Sequence, residues 1–101
     1  MSRGALARRD YPTAVSYAKR AARFAPWATE PWLARGEAEL AAGDRKAARI
    51  SFRRAITKDR QDWLPWFRLA SASTGNARAR ALEHALRRNP RSPEAAQLLP
   101  R

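Results

Sequence analysis

"PWLARGEAELAAGDRKAARISFRRAI", Pro31 to Ile56, carries two apolar patterns separated by a glycine and an aspartate. In the first half Trp32, Leu33, Gly36 and Leu40 recur at helical spacing. In the second half Ala48, Ile50, Phe52, Ala55 and Ile56 mark an amphipathic helix from Arg45 to Lys58. Thr29 offers a hydroxyl to cap the first helix, and Pro31 is tolerated in its first turn, where an N–H has no helical partner anyway. Gly43 suits the left-handed residue that closes this helix, and Asp44 caps the next one at once. Two helices of about 14 residues joined so tightly form an antiparallel hairpin.

The plan recurs along the chain. Shifted by 34 residues, Pro31-Trp32 falls on Pro65-Trp66, Gly36 on Ala70 and Ala38 on Ala72. Upstream, Asp10 falls on Asp44, Ala14 on Ala48, Ala18 on Phe52 and Ala21 on Ala55. Asp62 caps a further helix from Trp63 to about Ser73, and "TGN" (74–76) turns the chain into another from about Ala77 to Arg88. Tyr11 to Phe24 reads as the second helix of an earlier hairpin, whose first helix survives as a stub around Gly4 to Arg9. Ser92, Pro93 and Glu94 supply a cap, a first-turn proline and a first-turn acid for a short last helix through Leu99. The chain thus reads as one all-α domain: a partial repeat over 1–28, a repeat over 29–62, a shortened repeat over 63–91 and a C-terminal helix over 92–99.

This unit resembles the tetratricopeptide repeat, a helix–turn–helix of 34 residues with tryptophan, glycine, alanine, aromatic and proline at set positions. The complete unit matches at Trp32, Gly36, Ala48, Phe52 and Ala55. The following one matches at Trp66, Leu69, Ala70, Leu82, Ala85 and Pro90, and the earlier partial one at Ala14, Ala18, Ala21 and Pro26. The resemblance runs from about Leu6 to Glu94. Arg35 and Glu39 stand where the family usually has leucine and tyrosine, Arg60 replaces the closing proline, and the unit around "SASTGNA" is about four residues short.

The resemblance settles what "DWLPWF" (62–67) is for. It places Trp66, like Trp32, in the interior against the small residues of the second helix, and makes a base-stacking platform unnecessary. Trp27 and Trp63 fall at unit junctions, open either to ordinary packing or to a partner. The family fold is an α-solenoid, a right-handed superhelix whose first helices line a concave groove and whose second helices lie mostly on the convex side. The implied function is a non-catalytic protein–protein interaction scaffold. Leu33, Glu37, Leu40, Phe67, Arg68, Ser71 and Thr74 would meet a protein or peptide segment in the groove. Where the family's clamp for a chaperone-tail carboxylate has lysine, asparagine and arginine, this chain has Leu33, Glu37 and Leu64, and only Arg68 agrees in type. That clamp is therefore not expected.

Charge separates by helix. The net charge of +12 comes from 21 basic residues, 18 of them arginine, in a chain with 23 alanines. Such a pairing is also common in proteins of GC-rich genomes, so it names no partner alone. Over 29–42, Arg35 stands against Glu30, Glu37 and Glu39, a net −2. Over 44–58 six cations stand against Asp44, a net +5, and the helices 10–24 and 77–88 carry +2 and +3. Arg45, Arg49 and Arg53 recur at i, i+4, i+8 with Arg54 beside them. That stripe is either a solvated face or a contact for anionic lipid or nucleic acid.

Catalytic chemistry finds little to use. There is no cysteine, no glycine-rich phosphate loop and one histidine, His84, which reads as a surface or packing residue. Glu37 and Glu39, two residues apart, point to different faces of a helix. An enzyme is not expected, and neither cofactor nor metal is implied. A hydrophobic content of 45% with 30% charge suits a folded domain, and no apolar run approaches the roughly 20 residues of a membrane span.

The chain opens inside a hairpin, which suggests a segment of a longer protein. Its arginine- and alanine-rich repeats, with "ALRRNPRSP" (85–93), also resemble the soluble tails of bacterial O-antigen ligase-like membrane proteins. A cytoplasmic module is the first expectation, and a soluble domain attached to a membrane protein the second. Hairpin edges at both ends would allow end-to-end self-association.

Overall fold

A computed structural model describes residues 16, 17, 20 and 27–99. Ser16, Tyr17 and Arg20 are helical, within the span expected for a helix at 11–24. The rest of that helix, the stub at 4–9 and Pro26 lie outside the described residues. From Trp27 onward five helices follow: α1 (Thr29–Ala41), α2 (Arg45–Lys58), α3 (Trp63–Ser71), α4 (Gly75–Arg88) and α5 (Pro93–Gln97). No strand occurs among the described residues. α1 packs on α2, α2 on α3, α3 on α4 and α5 on α4, so each helix leans chiefly on its neighbours in sequence.

The α1–α2 turn forms as its residue types require. Gly43 takes φ +88°, Asp44 N–H reaches Glu39 O at 2.9 Å, and Gly43 N–H reaches Leu40 O at 3.0 Å. These two bonds occupy carbonyls that the helix end leaves unpaired. Asp44 then accepts from Ala47 N–H at 3.1 Å and opens α2. Asp62 and Ser92 open α3 and α5 likewise, accepting at 3.1 Å from Leu64 N–H and Ala95 N–H. Thr29 does not cap α1. Ala28 holds the cap position without a side-chain bond, and Thr29 already lies within the first turn.

The second hairpin closes differently from the first. α3 stops at Ser71 rather than Ser73, and α4 begins at Gly75 (φ +57°) rather than Ala77. At this turn arginine side chains reach carbonyls at the end of α3. Arg78 Nε donates to Ala70 O at 3.1 Å and Ser73 O at 2.9 Å, while Arg49 Nη1 donates to Ala72 O at 3.0 Å. Ser73 Oγ donates back to Leu69 O at 2.7 Å. The missing residues are taken from α3, which has 9 residues where α1 has 13, while the turns 42–44 and 72–74 are equally long. The register between hairpins thus drops from 34 to 30: Phe52 corresponds to Leu82 and Ala55 to Ala85.

The core runs continuously through Leu33, Ala48, Phe52, Ala55, Ile56, Phe67, Leu69, Ala70, Leu82, Ala85 and Ala95. Phe52, Leu82 and Pro65 are the largest fully enclosed apolar side chains. Phe52 lies flat against the bare backbone of Gly36, where a methyl group would sit only 2.5 Å from its Cδ1. The interior seat expected for the tryptophans is therefore Phe52's. Trp32 and Trp66 pack against the core but stay half-buried, each with a basic side chain over its ring. Two alanines and a glycine leave a gap between α1 and α2 that the Phe52 ring fills, so the larger Trp32 indole stays half-buried outside it.

Candidate functional site

α1 and α3 are both first helices of their hairpins and are not among the closely packed pairs. Side chains join them instead: Arg68 Nε on α3 lies 3.5 Å from Glu37 Oε1 on α1. Both partners are about one-third exposed, so the pair is an ordinary surface bridge of modest strength. It ties together two of the residues that the sequence assigned to a groove. Leu33 and Phe67 are buried, whereas Leu40 and Ser71 are half-exposed. Ser71 Oγ donates to Phe67 O at 3.1 Å. Thr74 is exposed and holds the cap position of α4 without a side-chain bond.

Phe67 is roofed from two sides. Trp63 meets it at 5.6 Å between ring centroids with a 39° tilt, and the Arg68 guanidinium carbon lies 5.5 Å from its centroid. Trp63, half-buried, is thus a packing residue of the junction, while Trp27 is 73% exposed. Two of the positions that depart from the repeat pattern, Arg35 and Glu39, also have partners. Glu39 is buried, accepts from Ser51 Oγ at 2.5 Å, and lies 3.5 Å from Arg35 Nε. Arg35 in turn lies over Trp32, 5.5 Å from the ring centroid. A polar link between α1 and α2 thus stands where the pattern expects tyrosine and leucine.

On the second helices the basic stripe divides into two kinds of residue. Arg45 and Arg53 are exposed. Arg49 is turned to the Ala72 carbonyl, and Arg54 covers Trp32 at 5.2 Å from the ring centroid. Sequence spacing shows which residues share a helix face, not which of them find a carbonyl on the next hairpin.

His84, expected as a surface or packing residue, stacks its imidazole on Trp66, 4.0 Å between centroids and 14° between planes. Around it, Arg88 Nη1 lies 3.4 Å from His84 Nδ1 and donates to His84 O at 2.8 Å. The Arg60 carbonyl accepts from Trp66 Nε1 at 3.1 Å and Arg88 Nε at 2.6 Å. Partial burial first, then the positive charges of Arg88 and Arg87, hold the imidazole pKa below its usual value; Glu83 opposes them and Arg60 adds to them.

One feature escaped sequence reasoning. An apolar cleft follows α4, as two adjoining cavities of about 390 and 340 Å³ that share Ala79 and Leu82. Leu99 lines one and Leu98 the other. The terminal "QLLP" (97–100) held the signal, but only the packing of α5 on α4 turns it into a wall.

No helix among the described residues is long and apolar enough to cross a membrane. No curated protein matches the chain. The tetratricopeptide repeat family model matches residues 29–72, which span α1, α2 and α3. Helical hairpins, the glycine–phenylalanine contact and the family match agree, and residues 29–72 carry a tetratricopeptide repeat.

Proposed function

We propose that the chain is a non-catalytic interaction module that holds a peptide or protein segment between α1 and α3. Tetratricopeptide repeats generally mediate protein–protein contacts, and the observation that carries the groove reading is the Glu37–Arg68 bridge. It marks where the two first helices face one another through side chains. Leu33 and Phe67 form an apolar floor there, and Leu40 and Ser71 remain accessible beside the bridge.

The bridge also bears on what the groove accepts. With Glu37 matched by Arg68 and Glu39 by Arg35, Glu30 is the acid of 29–42 with neither partner, and it is exposed. A neutral or weakly basic segment with an apolar anchor fits this surface. Its backbone would hydrogen-bond to the Ser71 hydroxyl and to the ion pair.

Peptides selected from a random display library against the chain, followed by chemical-shift mapping, test the reading. The expected result is a contiguous set of shifts at Glu37, Leu40, Arg68 and Ser71, lost in Leu40→Glu. Shifts confined to α2 and α4, or binding unchanged by Leu40→Glu, would overturn it.

A further inference from the structure

Arg35, Arg68, Arg78, Arg87 and Arg88 make contacts within the fold, whereas α2 concentrates exposed cations. Between Arg45 and Lys58 its sequence holds six cations and no acid. Arg49 is turned inward to Ala72 O, while Arg45, Lys46, Arg53 and Lys58 are exposed. At 100° per residue, Lys46, Ile50 and Arg53 fall on one narrow arc opposite the buried Ala48, Phe52 and Ala55. Among the described residues the flanking acids form no ion pair with these cations. Asp44 caps the helix through Ala47 N–H, and Asp59 accepts from Gln61 N–H.

Like charges three and four residues apart destabilise a helix, and α2 places Arg45–Arg49, Lys46–Arg49, Arg49–Arg53 and Arg54–Lys58 at those spacings. The other long helices answer such charges within themselves, α1 through Arg35–Glu39 and α4 through Glu83–Arg87. A face kept only for solubility mixes signs. This one has a single sign, and in its middle sits Ile50, 49% exposed.

We propose that the outer face of α2 is a docking surface for an anionic lipid bilayer. This rests on charge complementarity and on Ile50, and is independent of the groove reading. From Lys46 to Arg53 the arc is about 10 Å long at 1.5 Å per residue, so its cations reach neighbouring headgroups at once. Cations flanking an apolar side chain match the boundary between headgroups and acyl chains. Nucleic acid matches less well. The arc has no asparagine or glutamine to read a base edge and no aromatic ring to stack on a base, and Ile50 would gain nothing against phosphate.

Co-sedimentation of the whole chain with vesicles tests this, comparing phosphatidylcholine alone with phosphatidylcholine doped with phosphatidylglycerol. Binding is expected to the doped vesicles only, weakening with added salt. Lys46→Gln and Arg53→Gln should each lower affinity about fivefold, from the roughly 1 kcal/mol that one cation contributes near an anionic surface. Ile50→Ser should lower vesicle affinity on the order of threefold without altering retardation by double-stranded DNA, and circular dichroism confirms that each variant is folded. The proposal is overturned by equal binding to neutral vesicles, by absence of binding to doped vesicles at low salt, or by unchanged binding in the double glutamine variant. It is also overturned if DNA binds while vesicles do not.

Discussion

His84 lies flat on Trp66, and 30 residues earlier Arg54 holds the same place in its own hairpin, over Trp32. Two successive units thus close the outer face of the repeat tryptophan with a basic side chain. In one unit that side chain is always charged, and in the other it titrates.

This difference makes the second hairpin sensitive to acid. His84 is the chain's sole histidine and its pKa is held below 6.5 by partial burial and by Arg88 and Arg87. The unfolded chain takes up this proton near the ordinary value while the folded chain resists it, so stability rises with pH across that window and is lost as pH falls below it. Urea midpoints should decline between about pH 7 and about pH 5.5, above the range where most carboxylates titrate. In His84→Gln the midpoint should be flat over the same interval. An equal decline in the variant would assign the effect elsewhere.

Gly36→Ala reverses the usual rule for helices. Inside an exposed helix the change would stabilise by about 1 kcal/mol. Here the added methyl meets the Phe52 ring, which is fully buried and has no room to retreat. A net loss of about 1–3 kcal/mol is expected, from overpacking. Denaturant unfolding of Gly36→Ala alone and combined with Phe52→Leu measures it, and the pair should recover part of the loss.

Capping residues should separate cleanly in the same assay. Asp44→Ala and Asp62→Ala each remove a side-chain bond to a helix N-terminus and should cost about 1 kcal/mol. Thr29→Ala removes no such bond and should stay within about 0.5 kcal/mol of the parent. A loss at position 29 equal to that at 44 would contradict the assigned start of α1.

Arg78 and Arg53 offer a contrast between arginines. Arg78→Ala takes the side-chain donor from Ser73 O and from Ala70 O, which keeps its bond from Ser73 N–H, and should destabilise by about 1–3 kcal/mol. Arg53→Ala, on an exposed face, should change stability by less than about 0.5 kcal/mol. Thermal unfolding of the two variants side by side checks the assignment.

The hairpin plan was legible in the sequence because its signals are local. A 3.6-residue apolar period, a glycine followed at once by aspartate, and a proline in a first turn each act within one turn of helix. α2 therefore begins at Arg45 and ends at Lys58, as its pattern requires, and Asp44, Asp62 and Ser92 cap as their positions demand. The four-residue shortening was legible as well, since it is a matter of counting.

What only the tertiary structure decided are choices between neighbours competing for one place. Phe52, not Trp32, fills the space over Gly36, because the gap between two close helices takes a phenyl ring and leaves the larger indole at its edge. Arg49 and Arg53 share a stripe, yet the next hairpin puts the Ala72 carbonyl within reach of the first and leaves the second in solvent. Glu37 found its counter-charge on another helix, and His84 its stacking partner 18 residues upstream. Periodicity assigns a side chain to a face of its own helix; what lies opposite depends on how the helices pack.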